Sequence, residues 1–588
     1  MRVLSLRRPA FLVLAASAFA ITAALLAQES TKPIAATNRP IADFTLHDYL
    51  GAKYSLADWK DKQAIVVVFV GTDCPVSKLY GSRLAQLSKD YADKNVQFIA
   101  IDSNRQDSLE DITHFARTHK IEFPILKDAG NQVADKFGAE RMSEAFVLDR
   151  DRVMRYRGRI DDQFGVGYAR GQTSANYLTS ALDELLAGKA VSKPAVDAVG
   201  CIIGRVKRDA PTGDVTYTKS IAPILNEHCV RCHRPGEVAP FSLTSYEETV
   251  GWADTMLEVI RDERMPPWHA NPAHGKFSND ARLPDAAKQT IETWIKNGLP
   301  EGDAKDLPPA RTFANGWQIP KPDLVVEMPK AYDVPPRGIV PYQHFEVGHT
   351  FEKETWVRAA EVRPGNRPVV HHLILFYILP SQARPRGEDA LSNAIATFAP
   401  GMPAMDLPDG YAMRVPAGSR LVLQAHYTPN GSPQTDRSVA GLVFVDPSEV
   451  KHELTIKAAM NFRFRIPPGD NNYRVETTYR VREDSLLFSL MPHMHYRGKS
   501  FRFTARYPDG REEILLDVPR YDFNWQNVYK LAEPKRLPAA TEVQLVAQYD
   551  NSAENLLNPD PTKPVMWGDQ TWEEMMIGTL TMSKAESE

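Results

Sequence analysis

The hydrophobic pattern changes character several times along the chain. Pro9 to Ala27, "PAFLVLAASAFAITAALLA", is an unbroken apolar run behind Arg2, Arg7 and Arg8. It reads as an export signal over residues 1–27, with small residues such as Thr22 and Ala24 offering a cleavage site. Its length approaches a membrane span, so left uncleaved it would be an anchor. From about residue 40, short apolar runs alternate with helical spacing. "AIVVVFVG" and "VQFIAIDS" predict buried strands, and "PVSKLYGSRLAQLSKDYADK" and "SLEDITHFARTHK" predict helices. "EAFVLDRDRVMRYRG" predicts a hairpin turning at Asp149–Arg152, and "SANYLTSALDELLAG" a closing helix with Ser174 as its cap. That order implies an α/β sheet with helices on both faces over residues 40–190. Helical spacing returns in "DAAKQTIETWIKNGLPEGD", which closes a mostly α segment over 214–303. After a proline-rich linker the period becomes two, in "ETWVRAAEV", "VVHHLILFYIL", "RLVLQAHYT" and "EVQLVAQYD". This predicts two all-β sandwiches, over 325–450 and 451–588.

At 588 residues the chain suits about four domains. Its formal net charge of −4 gives no argument for nucleic acid as a partner, so none is expected, and 44 prolines fit a loop-rich β architecture. The signal places the chain in the periplasm or outside the cell, or at the outer face of the inner membrane if uncleaved. No other stretch is long and apolar enough to span a bilayer, so the membrane is a partner only through that segment. Exported chains usually spend cysteines on disulfides. This one has Cys74, Cys201, Cys229 and Cys232 and none further on, so the cysteines look placed for chemistry.

Cys74 lies at a strand–helix junction, "VGTDCPVS", where a helix N-terminus stabilises thiolate. Order and junction resemble the thioredoxin-like superfamily in its peroxiredoxin-type branch. Ser77 stands where a CxxC would carry its second cysteine, and Ser143 or its neighbours where thioredoxins set a proline. Cys201 is the candidate resolving thiol for Cys74. The competing reading makes Cys74 an inert thiol in a docking domain.

Cys229-Val-Arg-Cys232-His233 matches CxxCH, the attachment signal for one covalent c-type haem. Two thiols one helical turn apart can reach both vinyl groups, and the histidine then lies under the iron. Met265 in "RDERMPPWHANP" is the candidate sixth ligand, with His269 and Met256 as rivals. Residues 214–303 resemble small cytochromes c. A zinc half-site and a structural disulfide are the competing readings.

Histidines then cluster: His371 and His372 in "VVHHLILF", His426 in "LQAHYTP", His493 and His495 in "PHMHYRGKSF", and Met575 and Met576 in "EEMMIG". His493 and His495 sit two apart on a predicted strand and so share a face. His371 and His372 point to opposite faces of a regular strand, so both reach one ion only where the strand is irregular. Imidazoles with a thioether suit copper. The ordered set resembles the copper type II, ascorbate-dependent monooxygenases, the family of the peptidylglycine α-hydroxylating and dopamine β-monooxygenases. The resemblance implies two jelly-roll sandwiches. It implies one copper on His371, His372 and His426, storing electrons, and one on His493, His495 and Met575, binding dioxygen. Met491 and Thr579 replace the arginine and tyrosine that hold a peptide carboxylate in the amidating relatives, which argues against a peptide C-terminal glycine as substrate. The expected function is therefore an exported copper monooxygenase that hydroxylates a C–H bond of a small molecule with dioxygen. Its fused haem donates electrons, and a thiol redox domain and an external donor (ascorbate-like or a redox protein) complete it. The alternatives are a thiol–disulfide oxidoreductase or peroxidase, and a non-catalytic electron-transfer and copper-binding protein.

Overall fold

The computed structural model describes residues 37–207, 210–313, 316–382 and 392–586. The expected signal lies outside the described residues. Among them, no helix is long and apolar enough to cross a membrane.

The solid apolar run forms β3 (Ala64–Val70), whose seven residues are all buried because both faces of the strand are covered. It sits inside a seven-stranded sheet with β1 (Thr45–Asp48), β2 (Lys53–Ser55), β4 (Val96–Asp102), β5 (Ile125–Lys127), β6 (Ala145–Leu148) and β7 (Met154–Gly158). The strand order is β2-β1-β5-β4-β3-β6-β7. β3 runs parallel to β4, and β4 to β5; the other pairs are antiparallel. Helices α1 (Pro75–Asp90), α2 (Leu109–His119), α3 (Gln132–Phe137) and α4 (Tyr177–Leu186) complete the unit. Ser174 does not cap α4, which starts after Asn176. Its hydroxyl bonds instead to Asp162, whose carboxylate also takes the Ser174 and Ala175 N–H groups at 2.8 and 2.9 Å. A buried acceptor outcompetes the local cap.

Four further helices follow: α5 (Ala222–His228), α6 (Tyr246–Val250), α7 (Ala253–Arg261) and α8 (Asp285–Lys296). The last stops sooner than the amphipathic stretch, because Gly298 and Leu299 take positive φ. Trp294 of α8 is fully buried, and its indole N–H donates to the Pro300 carbonyl at 3.0 Å. One apolar core runs from the β3–β4 region into these helices without a break.

The C-terminal half is largely β-sheet. In its first sandwich, strands 324–327, 355–363, 411–415 and 439–445 pack over strands 343–350, 370–378, 394–398 and 420–427. In the second, strands 452–460, 485–493, 529–537 and 577–584 pack over 473–480, 498–506, 512–518 and 542–549. Short parallel pairing of Tyr411–Ala412 with His452–Glu453 joins the outer sheets of both.

Candidate functional site

Cys74 is the residue before α1, with Pro75 in the first turn. It is fully buried. Ser77, at the position of the missing second cysteine, hydrogen-bonds Ser143 at 3.0 Å and accepts from the Gly71 N–H at 3.3 Å, so a polar hydroxyl pair fills that space. The partner thiol comes from outside the sheet. Burial pushes the Cys74 thiol up, but hydrogen bonds from the Cys201 thiol and backbone and from Ser77 more than offset it, leaving it at about 6. The same contact, with burial, pushes Cys201 well up. The contact thus favours ionisation at Cys74 over Cys201.

Cys229, Cys232, His233 and Met265 line one cavity of about 390 Å³. Cys229 and Cys232 close a turn at the end of α5, where the Cys232 and His233 N–H groups donate to the Cys229 carbonyl at 3.1 and 3.0 Å. Both are free thiols. His233 Nδ1 lies 3.1 Å from the Phe241 carbonyl, which fixes the ring and leaves Nε2 for a ligand bond. Met256 lines the cavity with Met265. His269 lines a different cavity, beside Arg520 and Asp522. Among the described residues these cysteines do not converge with His233 as a zinc set does. The apolar lining, two thiols and an oriented imidazole fit a covalently held haem.

The three first-sandwich histidines do converge. Val370 pairs with Tyr427 and His372 with His426, so His371 is the extra residue of a β-bulge. The bulge turns His371 to the side of His372. His371 Nδ1 lies 3.3 Å from Nδ1 of both His372 and His426. Burial first, and the neighbouring imidazoles second, hold His372 and His426 well below the usual histidine range, and His371 at about 4. Three neutral lone-pair bearers at this spacing fit a cation.

The second set is assembled differently. His493 ends its strand and His495 lies just beyond it, so the pair does not share a regular strand face. Their ring centroids are nevertheless 5.3 Å apart. His493 Nδ1 meets the Gln526 side-chain oxygen at 2.6 Å, and His495 Nδ1 meets the Glu573 carbonyl at 3.3 Å. His495 Nε2 is buried with no hydrogen-bond partner. Met576 is fully buried in the sandwich core, whereas Met575 is half-buried at its edge.

Residues that sequence reasoning missed tie these sets together. Buried Glu574 accepts from the N–H groups of His495 at 2.9 Å and Arg497 at 2.6 Å, and from Met575 at 3.3 Å. Burial pushes its carboxyl up to about 7, against the pull of those N–H groups and of Arg497. Tyr342 of the first sandwich lies 4.7 Å from His426 and 6.4 Å from His495. Phe523 of the second stacks on His371 at 4.8 Å and lies 6.1 Å from His495. The two histidine sets thus face each other across aromatic rings. Only the "EE" before Met575 hinted at Glu574.

Residues 37–157 match the AhpC/TSA family. A thiol-disulfide oxidoreductase ResA from Bacillus thuringiensis subsp. konkukian is 27% identical over 109 residues, 18% of this chain and 61% of that protein. A chloroplastic peroxiredoxin Q from Sedum lineare is 27% identical over 118 residues, 19% of this chain and 62% of that protein. The chain thus spans less than two thirds of the length of either relative. Among solved structures, a hypothetical protein from Sinorhizobium meliloti 1021 is 32% identical, covering 29% of this chain and 94% of its own, with a TM-score of 0.27. Peroxidoxin BcpB from Mycobacterium tuberculosis is 22% identical, covering 26% and 94%, with a TM-score of 0.20. The N-terminal part of this chain is a thioredoxin-like, peroxiredoxin-type redoxin domain, joined to a helical segment and a largely β-sheet remainder.

Proposed function

We propose that the chain is an extracytoplasmic oxidoreductase in which the redoxin domain serves a copper-dependent monooxygenase. The single observation that carries the copper reading is the bulge at His371, which brings three neutral imidazoles together at 3.3 Å contacts. A strand interrupts its ladder at some energetic cost, and a metal ion at that point gives the interruption a use. His371, His372 and His426 would hold one copper; His493, His495 and Met575 would hold the other. Copper bound there supplies one-electron redox chemistry and dioxygen activation. The chain's own residues do the rest. Gln526 and the Glu573 carbonyl fix the two imidazoles of the second set through Nδ1. Glu574 holds His495 and Met575 in one frame. The rings of Tyr342 and Phe523 stand between the sets. A haem at Cys229, Cys232 and His233, with Met265 as sixth ligand, would supply single electrons.

A second reading has its own observation. The lowered Cys74 thiol at the start of α1, beside Cys201, and the match over residues 37–157 favour thiol–disulfide exchange or peroxide reduction as the main activity. One experiment separates them. Metal analysis and oxygen uptake on the purified full chain should give two copper ions and uptake that rises with a small-molecule C–H substrate. His493→Ala should abolish that uptake, and His426→Ala should slow it while the second copper stays bound. Stoichiometric zinc without copper affinity would sink the monooxygenase reading, and peroxide-driven turnover that needs only Cys74 would establish the second.

A further inference from the structure

The cavity beside Cys229 and Cys232 is not walled by the helical segment alone. Pro75 and Val76, which follow Cys74, line it, as do Gly200 and Cys201. Cys201, the partner of Cys74, and the haem-attachment thiols therefore line one chamber, with Cys74 itself buried behind Pro75 and Val76.

Cys201 is held there by both neighbours. The Met142 N–H donates to its carbonyl at 2.9 Å, and Arg141 donates to the Gly200 carbonyl at 2.9 Å while pairing with Glu258 of α7 at 2.8 Å. The Ile202 N–H donates to Thr255 of α7 at 3.1 Å. Thr255, Met256 and Glu258 line the same chamber. At Gly200 φ is +151°, and a Cβ would stand 2.1 Å from the Met142 carbonyl oxygen, so only glycine lets the chain pass this close. Cys201 is thereby fixed in hydrogen-bond contact with the Cys74 thiol.

We propose that Cys74 and Cys201 form a reversible dithiol–disulfide couple that exchanges electrons, one at a time, with the group attached at Cys229 and Cys232. The proposal rests on the haem reading above. In the oxidative direction the Cys74 thiolate loses one electron to ferric haem. Its sulfur then bonds to that of Cys201, whose proton leaves, and the pair becomes a disulfide radical anion. The second electron follows once a one-electron acceptor has emptied the haem, and a neutral disulfide remains. In net terms one thiolate and one thiol become one disulfide and release one proton and two electrons. An external dithiol reverses the change by exchange at Cys201, the half-buried member. The couple turns a two-electron thiol supply into the single electrons that haem and copper accept. It also accounts for the absent CxxC: a partner at position 77 would lie in the first turn of α1, whereas Cys201 lies on the chamber wall.

The test uses the full chain matured with covalent haem, its thiols reduced with a phosphine that is then removed, without oxygen. Ferricyanide is added, and the Cys74–Cys201 bond is followed by alkylation and mass spectrometry alongside the haem spectrum. Intramolecular transfer should form the disulfide on the order of tenfold faster or more in haem-loaded chain than in Cys229→Ala/Cys232→Ala protein. Independently of that variant's folding, wild-type haem should stay ferrous until extra oxidant has been consumed, whereas Cys201→Ser haem should oxidise at once. Equal behaviour of wild type and Cys201→Ser, with the haem spectrum intact, overturns the couple and leaves the haem reading standing. Absence of the haem mass on the CVRCH peptide overturns both.

Discussion

Cys74 illustrates what a single residue's surroundings decide. Burial alone would push its thiol up, and only the donors around it reverse the direction, to about 6. Its alkylation rate should therefore rise with pH through a midpoint at about 6 and level off about two pH units above it, where the thiolate fraction is nearly complete. A free thiol has its midpoint at about 8.5. Cys201→Ala removes the strongest donor and should move the midpoint upward, measured as iodoacetamide rate against pH. An unchanged midpoint would assign the effect to Ser77 and the backbone instead. The helix-terminus argument for a thiolate was legible in "VGTDCPVS". Cys201 was legible as a candidate partner from its place just after the domain, but the way it is held was not, because that depends on a linker folding back over α7, which no local spacing records. His371 is the matching case at the other end of the chain. The sequence shows that adjacent histidines need an irregular strand, but the bulge itself is set by the register against Tyr427 and His426.

Elements place the second histidine set through a carboxylate rather than through strand geometry. Strand 485–493 ends at His493, and without its ladder the next turn needs acceptors for its N–H groups. Glu574 supplies them to His495 and Arg497 from the segment that carries Met575. Glu574→Ala should orphan two buried donors and destabilise the fold by about 3 kcal/mol, read from urea unfolding. Copper retention at His493, His495 and Met575 should weaken with it, while the His371 set keeps its ion. Glu574→Gln keeps one acceptor oxygen and should fall between. Full copper occupancy in the alanine variant would remove Glu574 from the positioning role. The long strands and helices were legible because each carries several apolar positions at one period. β1, β2, β5 and α3 were not, because three to six residues give too few repeats.

At the scale of the whole chain, the cavity at Cys229 and Cys232 also reaches both sandwiches. Pro400 and Gly401 of the first line it, as do Trp525 and Asn527 of the second. Arg231, inside the CVRCH stretch, donates to the Gly401 carbonyl at 2.9 Å, and Arg367, just before the histidine strand, pairs with Glu237 at 3.2 Å. Trp525 follows Phe523 by two residues, and Phe523 stacks on His371 at 4.8 Å. A residue of the cavity wall thus lies two positions along the chain from the ring stacked on the three-histidine set, and under the proposed function this segment is the candidate route for haem-to-copper transfer. The expectation is testable by reducing the haem without oxygen, mixing with oxygen and following haem oxidation by stopped flow. Copper-loaded protein should oxidise its haem faster than copper-free protein or a His371→Ala/His372→Ala variant. Trp525→Leu should slow transfer while leaving copper content unchanged, because the side chain lines the cavity and is no proposed ligand. Equal rates in all four would mean that electrons leave the cavity by another route, and the Cys229–Cys232 site would then serve the thiol pair alone.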